Sequence, residues 1–250
     1  MKRPLFLSLL VFSFSTAGLE ATPYTLDFEV STAYGSNSGT WNFAGGQGTV
    51  FTGANIEVDR LIVFHAPANE GTAWSLIDGS LDFTTGGLIS GTTMNIGSME
   101  VVHLGFQGGG PMVLTGIVDV DNSGDISAGD VIGDANDPLL TGGLMSTNVS
   151  FMDMFGAASV SSFWDTSNDD LEALVGISND TQWQGLFNIS FQSGTVPVAS
   201  EGYAFESTTT LSGNVVNTVP EPVTALLLGA GSLGLGLIQR RRKHRRGQVT

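Results

Sequence analysis

The chain of 250 residues is long enough for one domain with a sizeable core. Only 13% of it is charged, 34 residues are glycine and none is cysteine, which excludes a disulfide scaffold, a thiolate zinc site, an iron–sulfur cluster and a cysteine nucleophile. A formal net charge of −15 argues against general affinity for nucleic acid, whose phosphates need Lys and Arg.

The charge is segregated. Lys2 and Arg3 open the chain, Arg240, Arg241, Arg242, Lys243, Arg245 and Arg246 close it, and Arg60 is the one base between. All but Glu20 and Glu221 of the 24 acidic residues lie in residues 22–219, so 22 acids face one base, a net −21. Such a body repels itself at low ionic strength and attracts Ca²⁺ or other cations; plain solubility is the equally simple reading.

Lys2 and Arg3 precede an apolar stretch of ten, Leu5–Phe14, followed by the small residues Ser15, Thr16 and Ala17. That order is a secretory signal peptide over 1–21, too short to span a bilayer, with Ala17 or Ala21 at the cleavage site.

From Thr22 to Thr218 the chain shows short β-forming runs separated by Gly, Asn, Asp and Ser. Strands are expected at Tyr24–Val30, Thr49–Thr52, Arg60–His65, within Met94–Phe106, at Met112–Val120 and at Leu186–Phe191. Trp74–Ile77 and Ser80–Thr84 flank Asp78-Gly79, a two-residue hairpin signal. Phe43–Gly53 and Phe106–Gly116 echo each other, either as repeated turn chemistry or as a duplicated half-domain. The main helical candidate is Asn168–Val175, with Asn or Asp as cap and acids in its first turn. The pattern predicts an all-β fold, a sandwich or jelly-roll-like body over 22–218.

One stretch carries metal-ligand spacing. Asp119, Asp121, Ser123 and Asp130 supply oxygens at positions 1, 3, 5 and 12 of a twelve-residue loop. The backbone carbonyl of Asp125 stands at position 7, Ser127 at position 9, and Gly124 at the tight turn of position 6. Ile126 at position 8 is suited to pack inward. Ca²⁺ takes six to eight oxygens at about 2.3–2.6 Å, and alternate side chains of a tight loop converge on one point. The loop resembles EF-hand and, more closely, dockerin calcium loops, which implies bound Ca²⁺. It is entered from a strand and occurs once, so a structural ion is expected rather than a helix-opening sensor or a cohesin-binding pair. A solvated acidic turn is the alternative. Asp134, Asn136 and Asp137 either add ligands or continue that turn.

Catalytic motifs are sparse. His65 and His103 punctuate apolar strands, and neither G-x-S-x-G nor H-E-x-x-H occurs. The body's single base offers almost no cationic support to an anionic transition state. A carboxylate pair acting on polysaccharide stays open. Trp41, Trp74, Trp164 and Trp183 are read as core, with sugar stacking as the alternative.

The end of the chain, residues 219–246, reads as an anchor. Pro220-Glu221-Pro222 cannot continue a helix; the apolar run Val223–Ile238 follows; Arg240, Arg241, Arg242 and Lys243 stop it on the cytoplasmic side. A helix of sixteen residues rises about 24 Å, slightly short of a bilayer core of about 30 Å, which snorkelling arginines and local thinning offset. Gly229, Gly231 and Gly234 fit G-x-G-x-x-G, but no second strand can follow so close to the chain end, and the match is rejected.

The Pro-Glu-Pro triplet, the Gly-interrupted apolar span and the Arg cluster, in that order, resemble the sorting tail of the PEP-CTERM proteins. That resemblance implies sorting by an exosortase-type enzyme at the inner membrane of a Gram-negative bacterium, removal of the tail, and association with exopolysaccharide and biofilm or floc. The stretch from Trp41 to Gly53, the Ser80–Gly87 segment and the ending before Pro220 are also similar, more loosely, to floc- and exopolysaccharide-associated members. The expectation is therefore a non-enzymatic secreted protein of the envelope or matrix. A carbohydrate-binding adhesin and a polysaccharide-active enzyme are the alternatives.

Overall fold

The computed structural model describes residues 23–30, 39–177 and 183–219. The signal-peptide segment, Pro220-Glu221-Pro222, the apolar run and the basic cluster at Arg240, Arg241, Arg242 and Lys243 lie outside the described residues. Among the described residues no helix is long and apolar enough to cross a membrane.

Among the described residues the chain is all-β with one short α-helix. The strands are β1 (Thr25–Val30), β2 (Thr40–Phe43), β3 (Val50–Phe64), β4 (Ala73–Ile96), β5 (Met99–Gln107), β6 (Pro111–Asp119) and β7 (Val131–Gly133). They continue with β8 (Leu140–Leu144), β9 (Ser146–Met152), β10 (Phe155–Ser167), the helix α1 (Asp169–Val175), β11 (Trp183–Gln192), β12 (Phe205–Ser207) and β13 (Thr209–Thr218). All pairings are antiparallel, in the order β12-β2-β3-β1-β13-β11-β10-β8-β6-β4-β5-β9. Two further pairings, β3 with β4 and β9 with β10, close the sheet on itself.

Alternation explains which face turns in. In β1, Leu26, Phe28 and Val30 are buried and Thr25, Asp27 and Glu29 face out. In β11, Trp183, Phe187, Ile189 and Phe191 are fully buried while Leu186 and Asn188 are exposed. A period of two puts every second side chain on one face, and aromatic side chains supply most of the buried area. Strands far apart in the sheet meet across the core: Trp41 of β2 stacks on Phe191 of β11 at 4.5 Å, and Phe83 of β4 lies 5.1 Å from Phe187. Trp41, Trp74 and Trp183 are core residues.

The helix forms where its caps are. The Asn168 side chain accepts from the N–H groups of Asp170 (3.0 Å) and Leu171 (3.2 Å), and Gly176 closes the other end with φ 75°. Acids fill the first turn, where the helix dipole favours them, and Leu171 and Val175 pack inward.

Two expectations change. Asp78-Gly79 is not a hairpin turn: it lies inside β4, where Asp78 takes φ 52° and the register with β6 shifts between Ile77 and Ser80. That register shift makes the pair a bulge, and glycine is needed there because a Cβ on Gly79 would stand 2.1 Å from the Val58 carbonyl oxygen of the adjacent strand. Second, the echoing segments connect differently. Phe43–Gly53 turns β2 into its own partner β3, whereas β5 and β6 do not pair with each other and both pair with β4. Their aromatic ends Phe43 and Phe106 meet edge-on at 5.0 Å in the core. The echo is shared turn chemistry, not a repeated half-domain.

Candidate metal centre

The loop between β6 and β7 is built from its first residue. Asp119 ends β6, opposite Ser75 of β4, and is 1% exposed. Its Oδ1 accepts from the Ser123 N–H at 3.0 Å and its Oδ2 from the Gly124 N–H at 2.7 Å. Gly124 makes that turn at φ 79°. Asp121 accepts from Ser123 N–H at 3.0 Å and from the Ser127 hydroxyl at 3.2 Å. Asp130 accepts from Ser127 N–H at 2.6 Å and from Val120 N–H at 2.9 Å, which closes the loop back on its own start.

Carboxylate oxygens of Asp119, Asp121 and Asp130 thereby come within 4.8 Å of one another. Like charges so close repel unless something offsets them. Backbone N–H groups offset part of the repulsion. Hydrogen bonding from Ser123 holds the Asp121 carboxyl below its ordinary range. No base stands in the loop, and the body's one arginine, Arg60, is 3.3 Å from Glu29. An all-oxygen donor set of converging carboxylates suits a hard divalent cation rather than a soft one.

The expected ligands are therefore sorted by the structure. Asp119, Asp121 and Asp130 are brought together. Ser127 is bonded to Asp121 and Asp130, within the same ring of groups. Ser123 donates its hydroxyl to the Asp125 carbonyl at 2.9 Å, so that carbonyl belongs to the loop's internal bonding, while the Asp125 carboxylate is exposed. Ile126 does not pack inward; it is 62% exposed, because no exiting helix turns position 8 toward a core. Asp134 forms a separate turn, accepting from Asn136 N–H at 2.7 Å and Asp137 N–H at 3.0 Å. A supporting residue was not anticipated: Asn122, at φ 52°, accepts from Ser75 N–H at 3.2 Å and ties the loop to β4. Its signal was an Asn preceding Ser-Gly, since Asn tolerates the left-handed region.

The remaining candidates separate from this centre. His65 approaches Glu70 at 3.7 Å, and the His103 ring nitrogen Nδ1 lies 2.8 Å from the Ser150 hydroxyl. A cleft of ≈ 450 Å³ runs beside the bulge and is lined by Glu57, Asp59 and Asp78, with no aromatic residue among the described ones. Burial, then the charge of Asp59, pushes the Glu57 carboxyl above its ordinary range. No protein-family model, curated protein or solved structure matches the chain.

Proposed function

We propose that this is a non-enzymatic secreted protein of a Gram-negative envelope or extracellular matrix, sorted through its PEP-CTERM-like tail and stiffened by a structural calcium ion. The observation that carries the calcium reading is the convergence of Asp119, Asp121 and Asp130 without a protein cation among them. Asp119, Asp121 and Asp130 would hold the ion, with Ser123, Asp125 and Ser127 as further oxygen donors. The ion supplies positive charge that offsets carboxylate repulsion and locks the β6–β7 connection. The acidic exterior is suited to calcium-bridged contact with exopolysaccharide, and an exosortase-type enzyme is the partner that would remove the tail.

The test is a thermal melt of the protein with Ca²⁺ and with chelator. A site of extracellular affinity, with Kd about 10⁻⁴–10⁻³ M, gains about 1.5–3 kcal/mol in 10 mM Ca²⁺. At about 2–4 °C per kcal/mol the midpoint rises by several degrees. Asp119→Ala should abolish the rise. An unchanged midpoint in wild type would leave an acidic turn. Mass spectrometry of both chain ends tests the sorting reading: cleavage near Gly18 or Thr22 and near Glu221 is expected.

A polysaccharide-active enzyme is the competing reading, and the cleft at Glu57, Asp59 and Asp78 is where its carboxylate pair would lie. Among the described residues the cleft shows no aromatic platform that would hold a sugar ring against such a pair.

A further inference from the structure

Among the described residues, acidic groups are sparse on one broad part of the exterior. From Val101 of β5 onward, the outward positions of β5, β9, the first half of β10, β11 and β13 carry no Asp, Glu, Lys or Arg; Glu100 at the start of β5 and His103 are the exposed ionisable groups on these strands. Register places Gly105, Asn148, Ser159, Asn188 and Asn214 side by side across those strands. The next row holds His103, Ser150, Ala157, Ser190 and Ser212, and the row beyond it Met152 and Phe155. Neighbouring strands stand about 4.8 Å apart, so the amides and hydroxyls repeat at that spacing across the face. Asn148, Asn188 and Phe155 are exposed, Phe155 by 53%. Carboxylates begin only at its borders: Glu100 and Asp153 near the turns, and Asp27 and Glu29 on β1.

In a body of net −21 this vacancy of charge selects a partner. A polyanion is repelled by the surrounding acids, and a polycation is drawn to the acids rather than to this face. A lipid surface would have to desolvate the rows of amides and hydroxyls. A neutral polyhydroxylated polymer meets none of these costs. Each Asn amide both donates and accepts, as each sugar hydroxyl does, and an exposed aromatic ring offers a face for the C–H side of a pyranose. We infer that this outward face of β5-β9-β10-β11-β13 binds a neutral glycan, with Phe155 as the stacking residue and Asn148 and Asn188 as the amide contacts. The inference rests on the matrix reading only for where such a polymer is met; the face is distinct from the calcium loop.

The experiment is retention of the full chain, in zwitterionic detergent, on an insoluble neutral β-glucan and on alginate, each with Ca²⁺ and with chelator. Retention on the neutral glucan is expected, insensitive to chelator and to salt. Phe155→Ala and the Asn148→Ala/Asn188→Ala pair should each weaken it about tenfold, and Phe155→Trp should preserve it. Melting midpoints within a degree or two of wild type show that the variants fold. Absence of neutral-glucan retention, or retention unchanged in both variants, overturns the inference. Retention on alginate alone, lost with chelator, overturns it while sparing the calcium-bridge reading. Retention on neutral glucan with no calcium effect on stability does the reverse.

Discussion

The indole N–H of Trp183 donates to Glu172 Oε1 at 2.8 Å inside the apolar core. The same oxygen accepts from the Ser167 hydroxyl at 2.9 Å, while Glu172 Oε2 is buried without a hydrogen-bond partner. The carboxylate thus joins α1 to the start of β11 and to the end of β10. Removing it leaves the buried Trp183 N–H unpaired, at about 1–3 kcal/mol, and frees the half-buried Ser167 hydroxyl at a smaller cost. Glu172→Ala is expected to lower the denaturation midpoint by that order. Glu172→Gln, which keeps an acceptor for both donors, should lose less. Urea melts of the pair check this, and equal losses would mean that packing, not the hydrogen bonds, sets the cost.

The bulge at Asp78-Gly79 makes a backbone prediction. Gly79 has no room for a methyl group against Val58, and backbone cannot yield as a flexible side chain does. Gly79→Ala should destabilise by about 1–3 kcal/mol or more through overpacking. Asp78→Gly, at a positive φ that Gly adopts freely, should be close to neutral. Thermal melts of the two variants give the contrast, and a neutral Gly79→Ala would remove the bulge as the explanation.

Asp27 and Asp121 should move stability in opposite directions with pH. Burial, its largest cause, raises the Asp27 carboxyl above its ordinary 3.8, with Asn214 lowering it and Glu29 adding to the rise. The folded state therefore holds that proton more tightly than the unfolded chain. Stability from this group is lost as pH rises through the raised value. Asp27→Asn should raise the melting midpoint at pH 7 and change it little at pH 3. A lower midpoint at pH 7 would show that the carboxylate's bond to Asn214 outweighs its burial.

For Asp121 the sign reverses. Its carboxyl is held below 3.8 by Ser123, so its contribution is present above 3.8 and lost as pH falls through the lowered value. Amide exchange of Ser123 and Ser127 should accelerate, relative to the rest of the body, once the pH drops past that point. Asp121→Asn should make their protection indifferent to acid. Uniform exchange across the transition would contradict it.

Much of the fold was legible as local pattern. The alternation of Leu26, Phe28 and Val30 and of Phe187, Ile189 and Phe191 matches their burial, and Asn168 caps the helix as its position suggested. What was hidden is non-local. Thr49–Thr52 and Arg60–His65 read as separate strands because Asn55 and its neighbours break the alternation; they fall largely within β3, whose register with β4 shifts three times along its length. Asp78-Gly79 has the chemistry of both a hairpin and a bulge, and only the approach of Val58 decides between them. The loop's acids were visible because their spacing is local. The row from Gly105 to Asn214 was not, since it exists only once pairing lines up residues far apart in sequence.

The register of β1 carries one more consequence. Thr25 pairs with Thr218, and Val219 N–H donates to the Tyr24 carbonyl at 3.0 Å, so the body's own two ends stand side by side. The pairing of Thr25 with Phe64, of Ile62 with Ala73, and of Ser75 with Asp119 puts the acidic loop at that same end. Tension applied between Thr25 and Thr218 would open β1 from β13 like a zipper, one backbone bond after another, instead of shearing the whole ladder at once. The body therefore resists load poorly across its own ends and is best suited to being held by one of them.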